Sequence, residues 1–169
     1  IEPIIGVVGQ EGLLNTFREQ NIQCHGLEIY KINSLKLIGH LYRLIKFLRK
    51  NKIDLIVSYH TSSDLIAPIV SFLSNIPCVS SRRDDGFTKK DSHTSLQKIL
   101  NRQVKGVISV SQAVKESVHQ KENYPLDKNI VIWNGEDLTT YNPKGNELRK
   151  TLDISADSQV ILTAGSVTP

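Results

Sequence analysis

The chain has 169 residues, a formal net charge of +4, 39% hydrophobic and 22% charged residues. That is room for one well-buried domain with residues to spare, in the composition range of ordinary soluble globular proteins. No apolar run nears the roughly 20 residues that cross a bilayer, and no secretory signal pattern opens the chain, so a cytoplasmic protein is expected.

The opening run Ile4-Ile5-Gly6-Val7-Val8 reads as a strand. With no methionine in the chain, this start reads as that of a trimmed piece. Gly6, Gly9 and Gly12 are spaced G-x-x-G-x-x-G, which departs from the dinucleotide fingerprint, and they are taken as a strand end and turn. A second strand is expected over Gly26 to Tyr30, then a helix from about Ser34 to Lys52 with Leu37, Ile38, Leu41, Leu44, Ile45 and Leu48 on one face. Lys36, Arg43, Lys46, Arg49, Lys50 and Lys52 fall in that segment without an acidic residue. Such a face either meets solvent alone or meets anionic lipid or a phosphate-bearing substrate.

Further strands are expected over Asp54 to Tyr59, Pro77 to Ser81, Gly106 to Val110, Asn129 to Trp133 and Gln159 to Ala164. Between them Thr61-Ser62-Ser63-Asp64 has the hydroxyl and acid of a helix start, with Pro68 set to kink that helix near its first turns. A helix from near Ser92 is expected to turn Leu96, Ile99 and Leu100 inward. Ser111 should cap the next one, with Val114 and Val118 inward and Lys115, Glu116, Lys121 and Glu122 outward. Polar turn residues come after Trp133, then a short helix over Glu147 to Leu152. Strands without polar alternation, alternating with helices, imply an α/β fold: a three-layer, doubly wound, mostly parallel sheet. The expected division is a domain over residues 1–142 and, over 143–169, a linker with the beginning of a second domain.

In open parallel sheets ligands bind beyond the carboxyl ends of the strands, where loops and helix amino termini present free amides. Ser80-Ser81-Arg82-Arg83-Asp84-Asp85-Gly86 is the sharpest such segment. Arginine forks grip phosphate and carboxylates accept from sugar hydroxyls, although surface salt bridges alone would also account for the run. His60 and Ser62 come after the preceding strand, where His60 either faces a ligand or caps a helix and packs on Tyr59. Cys24 and Cys78 lack metal-site spacing and read as core filling, and no other His, Cys, Asp or Glu pattern supports a tightly held metal. Neither a P-loop nor a Gly-x-Ser-x-Gly elbow is present. The basic residues lack the interleaved aromatics of a nucleic-acid surface.

Three stretches carry a family resemblance: Ser109-x-Ser111-x-Ala113-Val114, then Ile130-Val131-Ile132-Trp133-Asn134-Gly135-Glu136-Asp137 with Tyr141-Asn142-Pro143, and the closing Leu162-x-x-Gly165. They resemble the crossover between the two domains of retaining glycosyltransferases of family four, where the second stretch reads I-x-V-I-x-N-G-V-D-x-x-x-F-x-P. Glu136 departs from the small apolar residue of that motif. The resemblance implies a Rossmann-like half of a glycosyltransferase B fold, on the acceptor side. It further implies transfer of a sugar from a nucleotide-diphosphate sugar to a hydroxyl of a glycan or lipid-linked acceptor, with no resident cofactor and no obligatory metal. The partner lobe that holds the donor would lie beyond this chain, and contact with the inner face of a membrane is a further expectation. The family often reads T-x-H-D where this chain has Ser81-Arg82-Arg83-Asp84, so Arg83 stands in the histidine position and Asp84 is the acid. On this basis Arg83 and Asp84 are the expected catalytic residues, His60, Ser62 and Arg82 the acceptor contacts, and Asn134 and Gly135 the contacts to the nucleotide sugar. A sugar-nucleotide epimerase of the same shape and a non-enzymatic α/β binding domain are the alternatives.

Overall fold

The computed structural model describes residues 2–8, 14–26, 36–84, 86, 91–140, 147–155 and 157–161. Their chain order is strand β1 (Ile4–Val7), helix α1 (Leu14–Glu19), β2 (Gln23–Gly26), α2 (Lys36–Lys50), β3 (Ile56–Tyr59), α3 (His60–Ser74), β4 (Cys78–Arg82), α4 (Asp91–Leu100), β5 (Val104–Ser109), α5 (Gln112–Glu122), β6 (Asn129–Val131) and α6 (Glu147–Thr151). A 3-10 turn, Asn101–Gln103, joins α4 to β5. Every described strand pair is parallel, so α1, α3, α4 and α5 are crossovers between neighbouring strands, as the alternating pattern implies. The strands form a four-stranded sheet in the order β3-β4-β5-β6 and a separate β1-β2 pair. Val8, just past β1, packs with Leu48, Ile66 and Val70 between α2 and α3.

Two apolar clusters hold this unit. Cys78, Val104, Val107, Val114, Val118 and Tyr124 join β4 and β5 to α5, while Leu48, Ile66 and Val70 join α2 to α3. Burial of each such side chain contributes about 1.5 to 3 kcal/mol. Cys78 is a buried free thiol, pushed up in pKa chiefly by that burial, and Cys24 is half-buried and also free. Both suit the core-filling role expected of them. Tyr124 donates from its hydroxyl to the Val104 carbonyl at 3.1 Å, and burial pushes its phenol up to about 12.

Several local expectations are corrected. The second strand lies at Gln23–Gly26, earlier than Gly26 to Tyr30, because a polar-looking stretch pairs its backbone with β1; residues 27–30 lie outside the described set. Within it His25 stacks on Phe47 with ring centroids 4.2 Å apart. Ile38, placed on the inward stripe of α2, is 71% exposed, because it sits one residue past Leu37 and is carried round to the solvent side. On α4, Leu96 and Ile99 are exposed while Gln97 is 0% exposed. Residues 159–161 form no strand and Ile161 is fully exposed, since no neighbouring ladder pairs with them among the described residues; 162–164, like Gly9, Gly12, Ser34, Asp85 and 141–146, lie outside the described set.

The inward turn of Gln97 has a cause in α3. Pro68 is buried inside that helix and has no N–H, so the Asp64 carbonyl four residues earlier loses its helical partner. The Gln97 amide donates to that carbonyl at 3.3 Å and to Asn101 Oδ1 at 3.0 Å. Polar complementarity thus replaces apolar packing between α3 and α4.

The chain divides into two compact units, Ile1–Asn134 and Gly135–Pro169. In the second, Asp137 accepts from the Thr139 hydroxyl at 2.7 Å and amide at 2.9 Å, which holds its carboxyl below the usual value. Arg149 donates to the carbonyls of Ser155 at 3.0 Å and Ser158 at 3.2 Å.

Two outcomes are expected. Gln97→Met should cost about 1 to 3 kcal/mol in denaturant unfolding, and less in a Pro68→Ala background, where the helix regains a donor for Asp64; equal costs in both backgrounds would refute the pairing. On alkaline titration followed by ultraviolet absorbance, Tyr124 should ionise only toward pH 12, above the ordinary phenol value of 10.0. The folded state holds that proton more tightly than the unfolded state. Its contribution to stability is therefore intact below about pH 10 and is lost as pH rises toward 12.

Candidate functional site

The carboxyl ends of β3 and β4 open into a small surface cleft. His60 and Thr61 line it from the start of α3, and Ser81, Arg82, Arg83, Asp84 and Gly86 from the end of β4 and the loop beyond. Thr94 of α4, with Ser117, Val118 and Lys121 of α5, completes the rim, and Asp64 and Glu122 reach it from α3 and α5. This is where the general rule for parallel sheets places a ligand.

Behind the opening lies a buried polar network. Arg82, only 4% exposed, forms an ion pair with Asp64 Oδ2, and its Nη2 donates to Glu122 Oε2 at 2.9 Å. Asp64 Oδ1 accepts from the Ser58 hydroxyl at 2.6 Å and the Ser80 hydroxyl at 2.5 Å, and Ser80 in turn accepts from Arg82 Nη1 at 2.7 Å. Asn101 donates to the Glu122 carbonyl at 3.2 Å, and the Gln97 amide closes the circuit back to Asp64. Two carboxylates share one guanidinium, and hydroxyls and amides supply the remaining donors that buried charge requires. Arg82 Nε is left without a hydrogen-bond partner.

That network redistributes the roles read from the sequence. Arg82, expected at the acceptor, spends its guanidinium on Asp64 and Glu122 and forms the cleft wall. Glu122, expected to face solvent, is 5% exposed because it closes that pair from the last turn of α5. Arg83 and Asp84 are exposed at the mouth, and Asp84 Oδ1 accepts from the Gly86 amide at 2.8 Å, which orients the carboxylate within its loop. The structure therefore gathers His60, Arg82, Arg83 and Asp84 into one cleft. Ser62 is not among the lining residues; it is exposed in the first turn of α3 while Thr61 and Asp64 on either side reach the opening. Asn134 is exposed and also does not line it, and Gly135, likewise exposed, begins the second compact unit.

The start of α3 differs from the expected hydroxyl cap. The helix begins at His60, its N-cap Tyr59 makes no side-chain cap bond, and His60 takes φ 71, in the left-handed region. A non-glycine residue there costs about 1 to 2 kcal/mol. The Ser63 hydroxyl reaches back to the carbonyls of Tyr59 and, at 2.9 Å, His60, and so fastens this strained junction. Ser111, by contrast, caps α5 as expected, accepting from the Val114 amide at 3.2 Å.

Sequence reasoning missed Asp64, Glu122, Ser58 and Ser80 as a group. The available signal was the presence of Ser58, Ser80 and Arg82 in runs expected to be covered strands, where apolar residues are called for. Among the described residues no three His, Cys, Asp or Glu side chains are grouped to hold a metal ion.

The model of Glycosyltransferase Family 4 matches residues 16–140, well over half of the chain. The chain belongs to glycosyltransferase family 4. No curated protein matches it. Among solved structures, Anabaena HepE in complex with UDP is similar at a TM-score of 0.73 and 19% identity, over 89% of this chain and 42% of that one. A glycosyltransferase from Rickettsia africae ESF-5 has a TM-score of 0.69 and 16% identity, over 92% and 42%. The UDP-N-acetylglucosamine 2-epimerase from Rickettsia bellii has a TM-score of 0.53 and 15% identity, over 90% and 51%. These likenesses are of fold, that of a Rossmann-like half, and the chain spans less than half the length of the two transferases.

Removing Arg82 leaves Asp64 and Glu122 facing each other without their shared cation. Arg82→Met should cost about 3 to 5 kcal/mol in denaturant unfolding, whereas Arg83→Met at the exposed mouth should change stability by less than about 0.5 kcal/mol. Equal effects would refute the division between wall and mouth.

Proposed function

We propose that this chain is the acceptor-side half of a retaining glycosyltransferase that moves a sugar from a nucleotide-diphosphate sugar to a hydroxyl acceptor in glycan or polysaccharide synthesis in the cytoplasm. The observation that carries the reading is the cleft at the ends of β3 and β4, where Arg83, Asp84 and His60 meet in a chain of this family. Residues 1–142 supply the acceptor side and 143–169 lead toward a donor-side lobe, in keeping with the 42% span of the Anabaena and Rickettsia transferases. Since HepE was solved with UDP and with UDP-glucose, a UDP-sugar is the first donor to test.

The chemistry of the mouth suits this reaction. Arg83 is a fixed cation, so it stabilises charge developing on a departing diphosphate, or holds an acceptor hydroxyl, without exchanging a proton near neutral pH. Asp84, already oriented by the Gly86 amide, accepts from sugar hydroxyls. His60 sits across the same opening on a backbone fixed by its left-handed turn. Asn134 and Gly135 are assigned to the donor side.

In the enzyme assembled with its donor-side lobe, Arg83→Ala should lower kcat/KM for transfer by about 100-fold, with Asp84→Asn weakening acceptor use more than donor use. Unchanged transfer rate and acceptor affinity in Arg83→Ala would refute the assignment. The epimerase reading has the Rickettsia bellii likeness in its favour, and it is adopted instead if the assembled enzyme inverts a nucleotide sugar with no acceptor added.

A further inference from the structure

Arg82 and Arg83 are consecutive residues that both line the cleft, yet only Arg83 is placed to meet a ligand: Arg82 is 4% exposed, while Arg83 is exposed at the mouth. Burial of a guanidinium is costly, and a long arginine stem lets the charged head reach water from a partly buried backbone. Arg82 would therefore extend to the mouth beside Arg83 if nothing held it back. Two carboxylates hold it. Nη1 is paired with Asp64 of α3, and Nη2 donates to Glu122 Oε2 of α5 at 2.9 Å.

The two anchors differ in what they fix. On the Nη1 side the guanidinium has both Asp64 and, at 2.7 Å, the Ser80 hydroxyl, and Asp64 is itself fastened by the hydroxyls of Ser58 and Ser80. A fork held on that side alone can still pivot about it. Glu122 removes the pivot by taking Nη2 into the wall, and its own place at the end of α5 is set by Asn101, which donates to the Glu122 carbonyl at 3.2 Å. Glu122 also lines the cleft, so the Nη2 contact lies beside the space that a turned guanidinium would enter. Formally, two carboxylates and one guanidinium carry one negative charge in excess. Loss of the Glu122 carboxylate therefore leaves Arg82 and Asp64 as a matched pair, unlike loss of Arg82.

We infer that Glu122 is a positioning residue for sugar transfer, which rests on the role proposed for Arg83: by holding Nη2 of Arg82 in the wall, it keeps Arg83 the cation presented to the substrate. A second guanidinium at the mouth would pair with Asp84, whose carboxylate the Gly86 amide orients at 2.8 Å, and so take from the acceptor the group that receives its hydroxyls. The same release has the opposite effect where Arg83 is absent, because Arg82 then supplies the missing cation. A residue that only stabilised the fold would not reverse its effect between the two backgrounds.

Phenylglyoxal labelling of the 169-residue chain, read by mass spectrometry, reports which guanidinium is accessible. Arg83 should be modified and Arg82 protected. Glu122→Met, close in volume but with no acceptor oxygen, should expose Arg82 to the reagent, while Glu122→Gln, which keeps an oxygen for Nη2, should not. Circular dichroism checks that each variant is folded, and Glu122→Ser, too short to reach Nη2, replaces the methionine variant where that one does not fold. In the enzyme assembled with its donor-side lobe, Glu122→Met should raise KM for the acceptor about 10-fold with kcat little changed, and Glu122→Gln should keep most of the original value. Added to Arg83→Ala, Glu122→Met should instead recover about 10-fold of the kcat/KM that Arg83→Ala loses. Arg82 that stays protected in folded Glu122→Met overturns the inference. Loss in Arg83→Ala with no recovery in the double variant overturns it too and leaves the proposed transfer standing, whereas unchanged transfer in Arg83→Ala alone overturns the reading of the mouth and this inference with it.

Discussion

One guanidinium held between two carboxylates organises this protein. Arg82 ends β4, Asp64 lies in the first turns of α3 and Glu122 ends α5, so a single buried cation ties a strand to the helices on either side of it. Ser58 extends the tie to β3, and Asn101 and Gln97 extend it to α4. Such a cluster adds little net stability over a well-packed apolar one, because desolvation offsets most of the attraction. Its value is directional. Apolar packing allows helices to slide by fractions of an ångström, whereas a fork of donors with fixed partners accepts one arrangement.

The position of the cluster explains the form of the cleft. Helices that meet an apolar sheet along their length would close over the strand ends, but here the ends of β3 and β4 carry serines and an arginine that must be paired. Asp64 and Glu122 turn toward them and become both structural partners and part of the lining. The next residues along the strand, Arg83 and Asp84, are then delivered to solvent at the mouth. Adjacent arginines thus have opposite environments, one bound in the wall and the other facing the opening.

Much of the fold was legible because parallel strands and their crossover helices leave apolar runs and caps in plain order. The runs at Ile56, Cys78, Gly106 and Asn129 became strands, the third of them beginning two residues earlier at Val104, and Ser111 became a cap, since these depend on local spacing. The failures share a cause. Periodicity assigns a helix's inward face to its apolar residues, which holds for α2 apart from Ile38, and for Val114 and Val118 of α5. It fails at Gln97 and Glu122, where the inward neighbour is polar: a carbonyl freed by Pro68 in one case and Arg82 in the other. Those partners are 33 and 40 residues distant in the chain, a separation over which no local pattern operates. His60, Arg83 and Asp84 could be brought to one opening on sequence grounds because they all come directly after strands of one parallel sheet. Ser62 could not be separated from them without knowing where α3 begins.

The left-handed turn at His60 bears on how substitutions there should be understood. Glycine adopts that conformation with no steric penalty and asparagine with little, so a position selected for chain direction alone would be served best by one of them. This chain carries an imidazole there instead, at the lining of the cleft. The ring and the bend are therefore separable properties: a glycine at residue 60 would keep the path of the main chain while deleting the side chain, and a β-branched residue would disturb the path itself.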